Sequence, residues 1–255
     1  MNRFYQILIS AGVGLVLPNI AHASFSSNSQ DYVFSTISGA DISPTEPVSA
    51  EASFRVSADS MVVTLVNLQS GITSVGQNIS SIIFSINNCA SILSLSQQNL
   101  SSSGNEIKVG NGGTITGTQY SATLDHWQLS SSGNQISLDD LSGNGSPDQT
   151  VIGPTNSQGD YSSVNRSIYD NTPHNPFAQQ EAKFTVKFPP GVLSDNVTIS
   201  NVQIGFGTSS GCYKPARAVP EPGTLPLLSI GAAAFGIFMR RRRAFPGDAK
   251  NLPAS

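Results

Sequence analysis

The sequence predicts an all-β domain, built as a single β-sandwich or jelly roll, on three observations. Polar and apolar residues alternate with a period of two in many short segments, and helical periodicity is nearly absent beyond the first residues. Gly- and Asn-rich clusters such as Ser103-Gly104-Asn105, Gly110-Asn111-Gly112-Gly113 and Ser132-Gly133-Asn134 punctuate these segments, as tight turns with positive φ require. Many short strands with regular turn signals are the pattern of sandwiches and jelly rolls.

The clearest strand is Ala182-Lys183-Phe184-Thr185-Val186-Lys187-Phe188. Ala182, Phe184, Val186 and Phe188 share one face and the lysines the other, so one face is buried and one wet. Pro189 and Pro190 stop it because neither can donate to a ladder. Further strands are expected at 31–37, 50–58, 61–68, 81–86, 92–96, 106–109, 114–120, 126–129, 135–138 and 197–206. In the last of these the apolar phase slips at Ser200-Asn201, which points to a bulge or bend. Residues 141–177 are rich in Gly, Pro, Asn, Ser and Asp and read as a long loop or flap, with disorder as the alternative.

Both ends of the chain read as addressing signals. Arg3 precedes a short uncharged apolar stretch at 7–17, Pro18 breaks it, and Ala21-His22-Ala23 offers small residues at the positions a signal peptidase accommodates. Cleavage is placed after Ala23. The stretch is shorter than the roughly 20 residues that span a bilayer, which argues against a retained anchor. The predicted organisation is a signal peptide at 1–23, an ectodomain at 24–213, a linker at 214–224, a membrane helix at 225–239 and a basic tail at 240–255.

Only 11% of the chain is charged, against about a quarter in typical soluble proteins. Acidic residues outnumber basic ones in the ectodomain, which leaves no electrostatic footprint for nucleic acid. Cys89 and Cys212 are an even pair in an exported chain and form a candidate disulfide, with two separate thiols as the alternative.

At the C-terminus Val219-Pro220-Glu221-Pro222 precedes an uncharged apolar run at 225–239, and Arg240, Arg241, Arg242 and Arg243 end it. The arginines act as a stop-transfer cluster that keeps this end cytoplasmic and the domain outside. The run is short for a permanent span and fits a transient processing signal. In this order the three parts resemble the PEP-CTERM sorting signal of Gram-negative bacteria, a tail also described as "ice-binding protein C-terminal" without implying ice binding. The resemblance implies recognition by a membrane exosortase, cleavage near the tripeptide, and delivery to the cell surface or exopolysaccharide matrix. Residues 244–255 extend past the arginines, where such proteins usually end. Short segments including Thr64-Leu65-Val66-Asn67-Leu68, His174-Asn175-Pro176-Phe177 and Val202-Gln203-Ile204-Gly205-Phe206-Gly207-Thr208 are similar to a widespread PEP-CTERM ectodomain type, which brings no activity with it.

Candidate chemistry is sparse. Asp125-His126-Trp127 places unlike groups together, but neighbours on a strand face opposite ways, and Trp127 reads as a core or rim aromatic. His174-Asn175-Pro176-Phe177 reads as a turn that seats Phe177 in the core. Asp139, Asp140, Asn144 and Asp148 offer hard oxygens to calcium without the spacing of an EF-hand. Thr114, Thr116 and Thr118 line one strand face, too little for an ice-binding plane. Tyr161, Tyr169 and Trp127 are candidates for glycan contact. No catalytic residue, metal ligand or cofactor is assigned. The sequence is read as a non-enzymatic surface or matrix protein for adhesion, matrix structure or polysaccharide contact. The alternatives are a secreted polysaccharide hydrolase using Asp125, Asp139 or Asp140, and a protein whose tail is never cut and stays membrane-anchored.

Overall fold

In the computed structural model, the described residues are 29–220, apart from 91, 93, 94, 142–146 and 170 and the side chains of 117–120. They form strands β1 (Gln30–Thr36), β2 (Asp41–Ser43), β3 (Glu46–Pro47), β4 (Ala50–Val56), β5 (Ser60–Asn67), β6 (Ile79–Cys89), β7 (Leu100–Val109), β8 (Ile115–Ala122), β9 (Gln128–Ser132), β10 (Gln135–Asp139), β11 (Val151–Ile152), β12 (Phe177–Lys187), β13 (Leu193–Phe206) and β14 (Tyr213–Ala218). The fold is all-β. Apart from the small β2–β3 pair, the strands make one continuous twelve-stranded sheet in the order β8-β7-β12-β5-β4-β1-β14-β13-β6-β10-β9. The two-residue β11 lies parallel to β12 and antiparallel to β6, so the pairing closes a barrel-like ring through β12, β5, β4, β1, β14, β13, β6 and β11.

Alternation in β12 has the predicted consequence. Phe184 sits opposite Val63 of β5, and Phe54 of β4 sits opposite the same Val63, so one register lines up a buried face across three strands. Phe54 meets Phe84 of β6 at a ring-centroid distance of 4.8 Å and Phe34 of β1 at 5.7 Å, both edge-on. Such contacts add to the area term that dominates core stability. The slip in β13 is also present: its register against β6 shifts between Ser200 and Gln203, where Asn201 has φ 52°.

The segment 141–177 carries more structure than a loop. Its β11 closes the ring, and Tyr161, Val164, Ile168 and Phe177 pack with Ile107 and Ile152 in a second apolar cluster. Residues 214–218, assigned to a linker, belong to β14, which is paired on both sides by β1 and β13. No strand forms over the described part of 92–96.

The candidate disulfide is overturned: Cys89 and Cys212 are both free. Cys89 ends β6, whereas the Cys212 carbonyl accepts from Phe206, which pairs with Ile79 at the other end of β6. Ten residue steps separate those ends by roughly 33 Å, far beyond the ~7 Å between Cα atoms that a disulfide allows. Burial pushes the Cys89 thiol up, while Cys212 is exposed. A small alkylating reagent is therefore expected to modify Cys212 well before Cys89. Intact mass should show no loss of two hydrogens before reduction, and equal labelling rates would count against this placement.

Candidate functional site

The feature of the domain with most chemistry is a carboxylate–histidine cluster beside the end of β10. Strand alternation builds it. Ile136, Leu138 and Asp140 share one parity, so the face that buries the two apolar residues also carries Asp140 inward, to 3% exposure. The Asp140 backbone N–H donates to the Ser80 carbonyl at 2.9 Å and prolongs the β10–β6 ladder past Asp139, holding that inward aim. Neither carboxylate oxygen of Asp140 has a hydrogen-bond partner among the described residues. Asp139, on the opposite parity, is half-buried and accepts from the Leu141 N–H at 2.6 Å.

Two other groups converge on Asp140. His126 Nδ1 contacts Asp148 Oδ1, and single donor atoms of His126, Asp140 and Asp148 all lie within 4.8 Å of one another. His126 is not on a strand, as expected from sequence, but on the turn before β9. Gln149 holds that turn. Its Oε1 accepts from the His126 backbone N–H at 3.0 Å, and its carbonyl accepts from Trp127 Nε1 at 3.0 Å. Its Nε2 donates to Glu106 at 2.6 Å and to Asp125 at 3.2 Å. Gln149 itself has φ 81°, a conformation side-chain-bearing residues rarely take, so these bonds sustain an unfavourable backbone geometry next to Asp148.

The electrostatics follow from this crowding. Burial raises Asp140 to about 9, and the neighbouring charges of Asp148 and Asp139 add to the effect. Asp148 is also raised, chiefly by burial and further by Asp125 and Glu106, while His126 opposes the shift. The pocket of negative groups thus disfavours its own charge.

The remaining sequence candidates fall elsewhere. Trp127 and Tyr161 are buried, and the Tyr161 hydroxyl donates to the Gly153 carbonyl at 2.9 Å, so neither presents a face to a glycan. His174 Nδ1 donates to the Pro147 carbonyl at 2.9 Å, and Asn175 ties the turn to Val109, Ile168 and Asn171. Phe177 is fully buried behind that turn, as its sequence context indicates. The Thr114 hydroxyl donates to its own turn, at the Asn111 carbonyl. Asn144 and the side chain of Thr118 lie outside the described residues, as do Ala21, Ala23, Glu221, Pro222, the apolar run 225–239 and Arg240–Arg243. Among the described residues no helix is long and apolar enough to cross a membrane.

Val219 and Pro220 are exposed and follow directly on the last strand. Residues 218–243 match the PEP-CTERM protein-sorting motif. The chain carries a PEP-CTERM sorting signal. No curated protein matches the chain. The PEP-CTERM match covers the tripeptide, the apolar run and the arginine cluster together, and it begins at the residue where β14 ends. It marks the chain as an exported protein that exosortase sorts to the cell envelope.

Proposed function

We propose that the chain is a non-enzymatic envelope or matrix protein, led out by a signal peptide and held for a time by residues 225–239 with its domain outward. Exosortase then cuts it near Pro220–Pro222 and passes it to the cell surface or the extracellular polysaccharide. The observation that carries this reading is the sorting motif at 218–243, set immediately after β14. A cut two to four residues beyond Ala218 leaves every ladder bond of β14 to β1 and β13 in place. The edge-on contact of Phe54 with Phe84, on strands well apart in sheet order, supports sandwich-like layering of the ectodomain.

Several features favour a binding or structural role over hydrolysis. A glycosidase needs two carboxylates that reach one substrate bond. Asp140 is almost fully buried, and the Asp125 carboxylate is engaged by Gln149. Of the aromatics suited to stacking on sugar rings, Trp127 and Tyr161 are in the core and Tyr169 is partly buried against the second apolar cluster, so polysaccharide contact falls to Tyr169 and the Ser-, Thr- and Asn-rich surface.

The intact mass of the protein from the envelope and medium of its host tests this. A C-terminus near Pro220–Pro222 is expected, and replacing Pro220, Glu221 and Pro222 by alanine should leave the tail uncut and the protein absent from the medium. A wild-type tail intact through Ser255 in every fraction overturns the processing scheme.

A further inference from the structure

We propose that His126, Asp140 and Asp148 form a binding site for a first-row divalent transition-metal ion, with zinc as its probe. The first observation is geometric: an imidazole nitrogen and two carboxylate oxygens, from the turn before β9, the end of β10 and the segment before β11, have donor atoms within 4.8 Å of one another. Metal–ligand bonds of about 2.0–2.2 Å to His and Asp require donors only a few ångströms apart, so small side-chain rotations complete the set. The second is independent of that spacing. Asp140 is 3% exposed and both its oxygens lack any hydrogen-bond donor among the described residues. Buried carboxylates are ordinarily paired or bound to metal, because an unpaired one forfeits its hydration without return.

The donor set selects the class of ion. One nitrogen with two carboxylate oxygens suits zinc and its first-row neighbours, whereas calcium takes six to eight oxygens and magnesium an octahedral oxygen shell. Asp125, Asp139 and Glu106 surround the three ligands and add a negative field that favours a cation. Gln149 acts as a positioning residue: it fixes the His126 backbone and adjoins Asp148, so imidazole and carboxylate are held in contact before any ion arrives. The side chain of His126 is about half exposed, which gives an ion a route in and leaves coordination positions for water. This site is independent of tail processing.

The test uses the exported protein recovered from its host without an affinity tag, stripped with a chelator and dialysed. Calorimetric titration with zinc chloride is expected to give one ion per chain with a dissociation constant in the micromolar range or tighter. Cobalt(II) should give the visible absorption of a nitrogen–oxygen site. His126→Ala, a change at an exposed side chain, and Asp140→Asn should each weaken zinc binding at least tenfold, with circular dichroism showing both variants folded. Absence of binding at millimolar zinc overturns the proposal. So does binding that both variants leave intact, or a site that takes calcium in preference to zinc.

Discussion

Replacing Trp127 with alanine is expected to destabilise the domain by about 3–5 kcal/mol, the upper range for emptying a core position. Trp127 is fully buried, and its ring lies 4.6 Å from that of Phe184 on β12, tilted by 48°. Truncation removes the largest buried side chain and leaves a void that close-packed neighbours fill only in part. It also strips the Gln149 carbonyl of its partner, the indole N–H at 3.0 Å. Trp127→Phe separates the two terms: it keeps most of the apolar contact and still orphans the carbonyl, so a loss of about 1–3 kcal/mol is expected. Against a typical total stability of about 5–15 kcal/mol, the alanine variant should lose much of its margin. Urea unfolding followed by far-ultraviolet circular dichroism measures both, since the chain has a single tryptophan and its fluorescence disappears with it. An alanine variant within 1 kcal/mol of wild type would falsify the packing argument.

Trp127 also shows how far the sequence could be read. Its burial was legible only in part, because the sequence leaves it a core or a rim aromatic and also a candidate for glycan contact. Its partner was not, because Gln149 lies in a segment whose composition reads only as loop. The strand at 182–188 and the bulge at Ser200-Asn201 were plain because apolar period and phase are properties of adjacent residues. β14 was missed because Tyr213-Lys214-Pro215-Ala216-Arg217-Ala218 has neither alternation nor β-branched residues; backbone pairing to β1 and β13 makes it a strand. The disulfide expectation failed for a topological reason: β6 is long, and the cysteines sit at its opposite ends. The inward aim of Asp140 did have a sequence signal. It continues the parity of Ile136 and Leu138, and extending the strand by two residues would have exposed it. Its meeting with His126 and Asp148 carries no such signal, because the turn before β9 and the end of the 141–148 segment come together only in three dimensions.

In the metal-free protein, Asp140→Asn is expected to raise stability at neutral and alkaline pH, by roughly 5 kcal/mol at pH 8. Burial, with the charges of Asp148 and Asp139, lifts the folded-state Asp140 carboxyl to about 9, whereas in the unfolded chain it titrates near 4. Between those values the folded state retains a proton that the unfolded state has lost. The difference in bound protons makes unfolding easier as pH rises, by up to about 1.4 kcal/mol per pH unit. Asparagine has no proton to lose, so the variant should follow wild type near pH 4 and diverge upward through the window. Asp139 and Asp148 shift in the same direction and leave a residual slope in the variant. Urea midpoints from pH 4 to 9 in chelator measure the divergence, and parallel curves would remove Asp140 as its source. Zinc should reverse the order. An ion bound only by the folded state stabilises it in proportion to the logarithm of its saturation ratio, and only the chain that keeps the Asp140 carboxylate gains fully from it. The same substitution is then stabilising in chelator and destabilising relative to wild type in excess zinc, a crossing that a buried carboxyl with no metal to bind does not produce.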